Sequence, residues 1–431
     1  MSEHATSAWK ELPFGGLCAR IVNGGTPATD NARFWGGHIP WVTGADFTSK
    51  GIGQIRRYVT DAGLLSSATS VVKAGNLLVV TRTGVGKLAI APFDIAISQD
   101  ITGVYLDETQ VDSRFAFHLL SREIEELKKL NQGTSINGIV RSDLERHKVS
   151  LPADTGQQRR IAAVLSRVDS AIEASEALIE KHQQIKAGLM HDLFTGGTPF
   201  NGHLRQHFAD APELFQETAL GPLPLDWRRS TVGESFEIDS GITLGPHRRP
   251  ARWPRKYLRV ANVHRDQLRL DDVASIETLP GDDGYALEEG DLLVVEGHAN
   301  PAEIGRCAMV DQDAAGMLFQ NHLFRLRPNG IDKNFALLWL NSFHVQRYWE
   351  RTCSTSSGLH TINRRMLRAV PMFVPSESEQ TRIVSAAASA RAVLDGHIKA
   401  LAKLRAQKLG LMQDLLTGKV RVPLPKPEVT A

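Results

Sequence analysis

One segment of this chain is written twice, and that constrains the fold more than any other feature. Residues 158–196 align without a gap onto 380–418, an offset of 222. Gln158, Arg160, Ile161, Lys181 and Lys186 recur as Gln380, Arg382, Ile383, Lys403 and Lys408, and GLMHDLFTG (188–196) recurs as GLMQDLLTG (410–418). Twelve of these 39 positions are identical, against about two expected from average residue usage. Fainter matches lie upstream. Ile139, Leu144 and Pro152 fall on Ile362, Leu367 and Pro375, and Gln99 falls on Gln320. VGKLAIA from Val85 resembles IGRCAMV from Ile304, KAGNLLVV places Gly75 on Gly290 of EEGDLLVV, and Trp9 matches Trp227. The 431 residues therefore read as variable half, repeated segment, variable half, repeated segment, in keeping with a prior of about three domains at roughly 150 residues each.

The repeated segments read as long helices. From Gln157 to Phe194 there is no proline and a single glycine, Gly188. Ile161, Leu165, Val168, Ile172, Ile179, Leu189 and Leu193 form an apolar seam, flanked by Val164, Ala171, Leu178 and Ile185. The second copy keeps a seam at Ile383, Ala387, Ala390, Leu394, Leu401, Leu404, Leu411 and Leu415. Such spacing belongs to helices packed on helices. Ser376-x-x-Glu379 predicts a capping box, with a weaker version at Asp154-x-x-Gln157. Gly196 and Gly418 stand where left-handed C-caps are expected. Thirty-eight residues give about 57 Å of helix. Antiparallel packing of the two would bury both seams and relate the halves by a pseudo-twofold axis.

The variable halves predict mixed α/β domains. Short apolar runs at 76–80, 88–91, 291–295 and 323–326 read as strands, and 115–130 and 335–350 as helices. The expected organisation is a first α/β domain over 1–152, a helix over 153–197, a proline-rich linker over 198–226, a second α/β domain over 227–375, a second helix over 376–420 and a tail over 421–431.

Catalytic signals are scarce. Gly84-Val85-Gly86-Lys87 lacks the earlier glycine and the following Ser or Thr of a phosphate loop, so its glycines read as a tight turn between strands. There is no His-Glu-x-x-His and no Gly-x-Ser-x-Gly, and no metal site or catalytic residue is assigned. Cys18, Cys307 and Cys353 are odd in number and far apart, which fits a reducing cytoplasm better than a disulfide framework. No apolar run is long enough to span a membrane, and no secretory leader is read at the N-terminus. A net charge of +2 names no partner. Local clustering does: Ser240 to Arg265 holds Arg248, Arg249, Arg252, Arg255, Lys256, Arg259 and Arg265, with Trp253 and Tyr257 among them and no acid. A basic, partly irregular segment with interleaved aromatics can follow a nucleic-acid groove. The alternative is a solvated loop paired with residues 266–291, which carry nine acids. A thinner cluster in the first half comprises Lys50, Gln54, Arg56, Arg57, Tyr58, Arg82 and Lys87.

These residues together resemble the specificity subunits of type I restriction–modification systems. The resemblance rests on GGTPATDNARFWGGHIPWVT (24–43), GLLSSA (63–68), TRTGVGKLAIA (81–91) and the two helix endings. The second half departs from it: Ser240-Gly241-Ile242-Thr243 stands for GGTP, and no WGG follows. The resemblance implies two target recognition domains, each reading half of a bipartite asymmetric double-stranded DNA target, with the helices setting the gap. It implies two modification subunits that use S-adenosylmethionine, and restriction subunits that use ATP and magnesium, with no cofactor in this chain. Two other classes are a coiled-coil adaptor that binds protein and a stand-alone DNA-modifying enzyme. The first would show no salt-sensitive DNA binding. The second would show activity in the purified chain.

Overall fold

The structure is a computed structural model that describes residues 9–48, 51–129, 138–198, 204–356 and 358–423, without the side chains of 354–356. Two compact units emerge: residues 1–178 with 397–431, and residues 179–396. The long helices Thr155–Thr195 and Glu377–Leu415 each contribute one part to either unit.

The core sheet of the first unit runs in the order Cys18–Asn23, Ile101–Leu106, Leu77–Val80, Leu88–Ile90. Leu77 to Val80 are buried on both faces, which is why this strand reads as a continuous apolar run without alternation. A second sheet orders Arg57–Val59, Trp35–Val42, Ile95–Ile97 and Ser70–Val72. Helix Ser113–Lys129 covers the core, its start capped by Asp112, whose carboxylate accepts from Phe115 N at 3.0 Å. Strand Trp9–Pro13 pairs with Lys148–Pro152, so the domain's two ends meet just before the long helix.

The second unit repeats this order. Its core sheet is Phe236–Ser240, Leu323–Pro328, Leu292–Val295, Cys307–Met309, and its second sheet is Ala274–Glu277, Pro254–Leu258, Leu318–Phe319. Arg228–Thr231 pairs with Pro371–Val374 as the closing strands. Gly75 and Gly290 match in conformation too, both left-handed at φ 83° and 95°. The Gly84–Gly86 stretch is the turn between Leu77–Val80 and Leu88–Ile90, with both glycines at positive φ.

Single hydrogen bonds made inside one unit are repeated inside the other. Gln158 accepts from Asp112 N at 2.8 Å and donates to the Pro152 carbonyl at 2.8 Å. Gln380 accepts from Asp332 N at 2.9 Å and donates to the Pro375 carbonyl at 2.9 Å. Arg122 donates to the Leu416 carbonyl at 2.6 Å, and His344 meets the matching Phe194 carbonyl at 3.0 Å. Trp9 lies under Gly418 and Trp227 under Gly197; a Cβ on either glycine would sit within 3 Å of the indole. These contacts explain why glutamine and tryptophan recur while their surroundings vary.

In each unit the helix pair is antiparallel. In the first, Ile161 and Leu165 share a core with Leu415 and Leu416, and Asp169 pairs with Lys408 at 2.6 Å and Glu176 with Arg405 at 2.8 Å. In the second, Leu193 and Phe194 share a core with Ile383. Among the expected seam residues, Ile161, Leu165, Ile383 and Leu401 are buried, while Val168, Ile172, Ile179, Leu189, Leu394 and Leu411 are half-buried. In the flanking row, Leu178 and Ile185 remain exposed.

Four details differ from the sequence expectations. The left-handed C-cap of the first long helix is Gly197, at φ 66°, rather than Gly196. The capping box at Ser376 is half made: Ser376 caps Glu379 N at 3.3 Å, but the Glu379 carboxylate turns to Arg205 at 2.7 Å and Thr198 N at 2.9 Å. That pairing builds part of the 198–226 segment into the second unit, where Phe215–Gln216 and Leu223–Pro224 also form a small hairpin. The 335–350 stretch is two helices, Lys333–Leu340 and Phe343–Thr352. At the break, the Asn341 amide bonds both backbone groups of Cys307, at 3.0 and 2.8 Å.

Candidate nucleic-acid interface

In the first unit the GGTP and WGG…PW motifs form one structure. A Cβ on Gly24 would lie 2.2 Å from the carbonyls of Ile97 and Ser98, so only glycine lets this loop cross that strand end. Trp41 Nε1 donates to the Gly25 carbonyl at 3.2 Å, and Trp35 stands edge-on to Trp41 at 5.1 Å. The Arg57 guanidinium lies over the Trp35 ring at 5.4 Å, exposed beside Tyr58.

The second unit reproduces this anchor with other residues. A Cβ on Gly241 would lie 2.1 Å from the Phe319 carbonyl, and Tyr257 Oη donates to the Ile242 carbonyl at 2.8 Å. The parallel pairings Trp41 with Ala96 and Tyr257 with Leu318 fix the correspondence of the two sheets. Tyr257 thus stands for Trp41, Gly241 for Gly24, and the basic segment 254–258 for the end of the WGG…PW strand. The same register places Gln99 opposite Asn321, one residue from its expected match, Gln320.

The basic residues of the second unit divide into two groups. Arg248 is spent inside the domain: it pairs with Asp282 and is nearly buried. Arg255 pairs with Asp283 at 2.9 Å and Arg259 with Asp272 at 2.9 Å. Burial raises the Asp282 carboxyl, but hydrogen bonds from Arg248 and Leu279 N outweigh it and leave the group below the usual carboxylate range. The acidic stretch 266–291 therefore holds the basic segment in place. Arg249, Arg252, Trp253 and Lys256 are exposed, Trp253 at 62%, with Arg252 over its ring at 5.3 Å. Glu277, which sequence reasoning passed over, fixes this loop. Its carboxylate accepts from Ala251 N at 2.7 Å, Arg252 N at 3.0 Å and Trp253 N at 2.8 Å. Those backbone bonds hold its carboxyl below the usual range. The only signal for Glu277 was the density of acids following the basic run.

The first-unit cluster divides likewise. Arg56 pairs with the buried Asp46, and Lys87 Nζ donates to the Phe47 carbonyl at 2.6 Å, pinning a loop. Arg57 and Arg82 are exposed. Lys50 lies outside the described residues. Among the described residues no group of three or more His, Cys, Asp or Glu is arranged to hold a metal, and no helix is long and apolar enough to cross a membrane.

Both units present an arginine over an indole at the start of the strand that carries the anchor. Residues 6–184 match the family described as the type I restriction modification DNA specificity domain. That match covers the first α/β domain and most of the first long helix, and several type I specificity subunits are similar to the chain. It is similar to the type I restriction enzyme MjaIX specificity subunit of Methanocaldococcus jannaschii, at 26% identity over 51% of this chain and 50% of that one. The MjaVIII specificity subunit of the same organism aligns at 22% identity over 96% of this chain and 93% of its own length. The EcoR124I/EcoR124II specificity subunit of Escherichia coli aligns at 26% over 38% of this chain and 41% of its own. The MjaIX and MjaX matches thus span only 50% and 40% of those relatives. In fold, the chain resembles the S subunit of a type I system from M. genitalium, with a TM-score of 0.53 at 17% identity covering 99% of both chains. A chain from a structure of an assembled type I R-M system gives a TM-score of 0.63 at 16% identity, covering 96% of this chain and 99% of that one.

Proposed function

We propose that this chain is the DNA-specificity subunit of a type I restriction–modification complex and is not itself an enzyme. Each α/β domain, 1–152 and 227–375, reads one half of a bipartite asymmetric target in double-stranded DNA. The helices over 153–197 and 376–420 set the gap between the halves. Two modification subunits, binding S-adenosylmethionine, and restriction subunits, using ATP and magnesium, supply the chemistry in the cytoplasm. The observation that carries this reading is the repeated anchor: the same aromatic-to-carbonyl bond, Trp41 to Gly25 and Tyr257 to Ile242, supports a different exposed basic face in each unit. One frame holding two different reading surfaces is what an asymmetric target requires.

Within this reading Arg57 and Arg82, and Arg249, Arg252, Trp253 and Lys256, face DNA. Arg56, Lys87, Arg248, Arg255 and Arg259 shape those faces through their internal partners. The exposed Leu178 and Ile185 on the first long helix, and Val393, Ile398 and Leu409 on the second, offer apolar surface to the modification subunits. The gap follows from helix length. The 41 residues of Thr155–Thr195 give about 60 Å of helix, enough to bridge half-sites one DNA turn, about 34 Å, apart. A non-specific gap of about 6–8 base pairs follows as an order-of-magnitude figure. The test is a heptad inserted after Lys181, which keeps the seam in phase and adds about 10 Å, or about three base pairs of rise. Methylation mapping should show both half-sites unchanged and the gap longer. An unchanged gap in an active complex would show that the helices do not set it.

A further inference from the structure

In the second unit the helix pair borders a cavity of about 360 Å³. Met190, Phe194, Val384, Ala387, Leu337 and Leu338 give it an apolar wall. Its charged lining is Lys186 and Arg391 against one carboxylate, Asp266. That carboxylate is already engaged, accepting from Asn341 Nδ2 at 2.6 Å. Arg391 Nε lies 3.8 Å from Asp395 at the half-exposed surface. Lys186 has no partner among the described residues. Ser342 also lines the cavity; it is 6% exposed, yet its Oγ has no hydrogen-bond partner. A buried hydroxyl without a partner is costly, so the site is built for a polar group that the chain does not supply.

The first unit shows what that group is. By the 222-residue offset, Lys186 corresponds to Lys408, Arg391 to Asp169 and Ala388 to Ser166. By their matching caps, Asp112 and Asp332, Leu338 corresponds to His118. There the Asp169 carboxylate takes Lys408 at 2.6 Å and lies 3.8 Å from His118, which meets Ser166 Oγ at 3.2 Å. In the second unit carboxylate, imidazole and hydroxyl have become Arg391, Leu338 and Ala388. The lysine remains, and a cavity stands beside it. Met190, Leu337, Leu338 and Val384 leave the wall around that lysine apolar.

We propose that this cavity is a docking pocket for an Asp or Glu side chain carried on an apolar segment of a protein partner, the partner's carboxylate taking on Lys186 the place that Asp169 holds on Lys408. Ser342 Oγ donates to the same incoming group, and Met190, Leu337, Leu338 and Val384 cover its apolar flanks. Charge complementarity and the filled counterpart both specify an acid. The proposal deepens the reading of the chain as a subunit of a larger complex and rests on it.

The test uses the full chain co-expressed with its modification subunits. Two variants act by different means: Lys186→Glu reverses the charge, and Ala388→Trp fills the cavity. Both should keep the parent's melting temperature as isolated chains, yet bind a modification subunit about tenfold more weakly and lose one of the two copies on size-exclusion chromatography with light scattering. The Lys186→Glu loss should shrink with added salt. Assembly of both variants like the parent would overturn the proposal. A melting-temperature rise with free glutarate and unaltered assembly would overturn it in favour of a small carboxylate. Failure of the parent to assemble would instead remove the reading on which the proposal stands.

Discussion

Gln158 and Gln380 make the same hydrogen bonds in the two units, while Asp169 and Arg391, at matching places on the two long helices, carry opposite charge. The first kind of position fastens an α/β domain to a helix and is identical in the two copies. The second kind lies beside that joint and has diverged. The surfaces proposed to face DNA follow the same division. Their anchors coincide, at Gly24 and Gly241 and at Trp41 and Tyr257, while the exposed side chains on them do not. Duplication has thus kept the joints and released the surfaces.

The largest effect expected from breaking this comparison is at the tryptophans. Trp227 is fully buried against Trp339 and Phe335, whereas Trp9 is only half-buried. Trp227→Ala should cost about 3–5 kcal/mol, and Trp9→Ala clearly less, read from urea unfolding midpoints. Equal costs would mean that the aromatic core of the second unit adds nothing to its joint.

Next come the glutamines. Gln158→Ala and Gln380→Ala each leave a backbone N–H and a proline carbonyl without partners, at a cost of about 2–3 kcal/mol, and the two losses should be alike. A large difference in the same urea assay would show that the two joints are not equivalent.

Acid should act on both units. Burial lowers the pKa of His118 from 6.5 to about 4, with Asp169 opposing the shift and Lys408 adding to it. Burial also lowers that of His344 to about 4, opposed by its bond to the Phe194 carbonyl. The unfolded state then binds more protons between pH 6.5 and 4, so the stability contribution is fully present above about pH 6.5 and is lost as pH falls. Each histidine should cost about 2 kcal/mol between pH 7.5 and 5. Urea midpoints across that range should fall for the parent and fall less for His118→Gln. A flat profile would contradict the buried neutral state of both rings.

The smallest effect sharpens the contrast between the helix faces. Asp169 and Lys408 are each about a quarter exposed, so Asp169→Ala should cost no more than about 1 kcal/mol. Lys186→Ala in the isolated chain should cost nothing measurable in the same unfolding assay.

The joints were the legible part of the sequence. Identical residues at a fixed offset reveal Gln158 and Gln380, and the seam spacing reveals two helices, because both repeat the same local physics. The exposed basic faces were half legible. Seven basic residues in a run marked the segment proposed to face DNA, but composition could not separate Arg248, drawn inward by Asp282, from Arg252, left on Trp253. That choice depends on acids 25 to 34 residues downstream, whose pairing only the folded sheet sets. The match between Tyr257 and Trp41 was hidden for the same reason: a phenol and an indole reach the same carbonyl through different chemistry. The cavity beside Lys186 could not be read at all, because it arises from what Arg391, Leu338 and Ala388 fail to fill.

The central claim, that two copies of one module each read half a target, has one direct test. Replacing residues 227–375 by a second copy of 9–152, in a complex with the modification subunits, should convert the methylated motif seen by single-molecule sequencing. Antiparallel helices carrying identical domains predict a palindrome, two inverted copies of the first half-site with the gap unchanged. An active complex that methylates the parent's asymmetric motif would contradict the account.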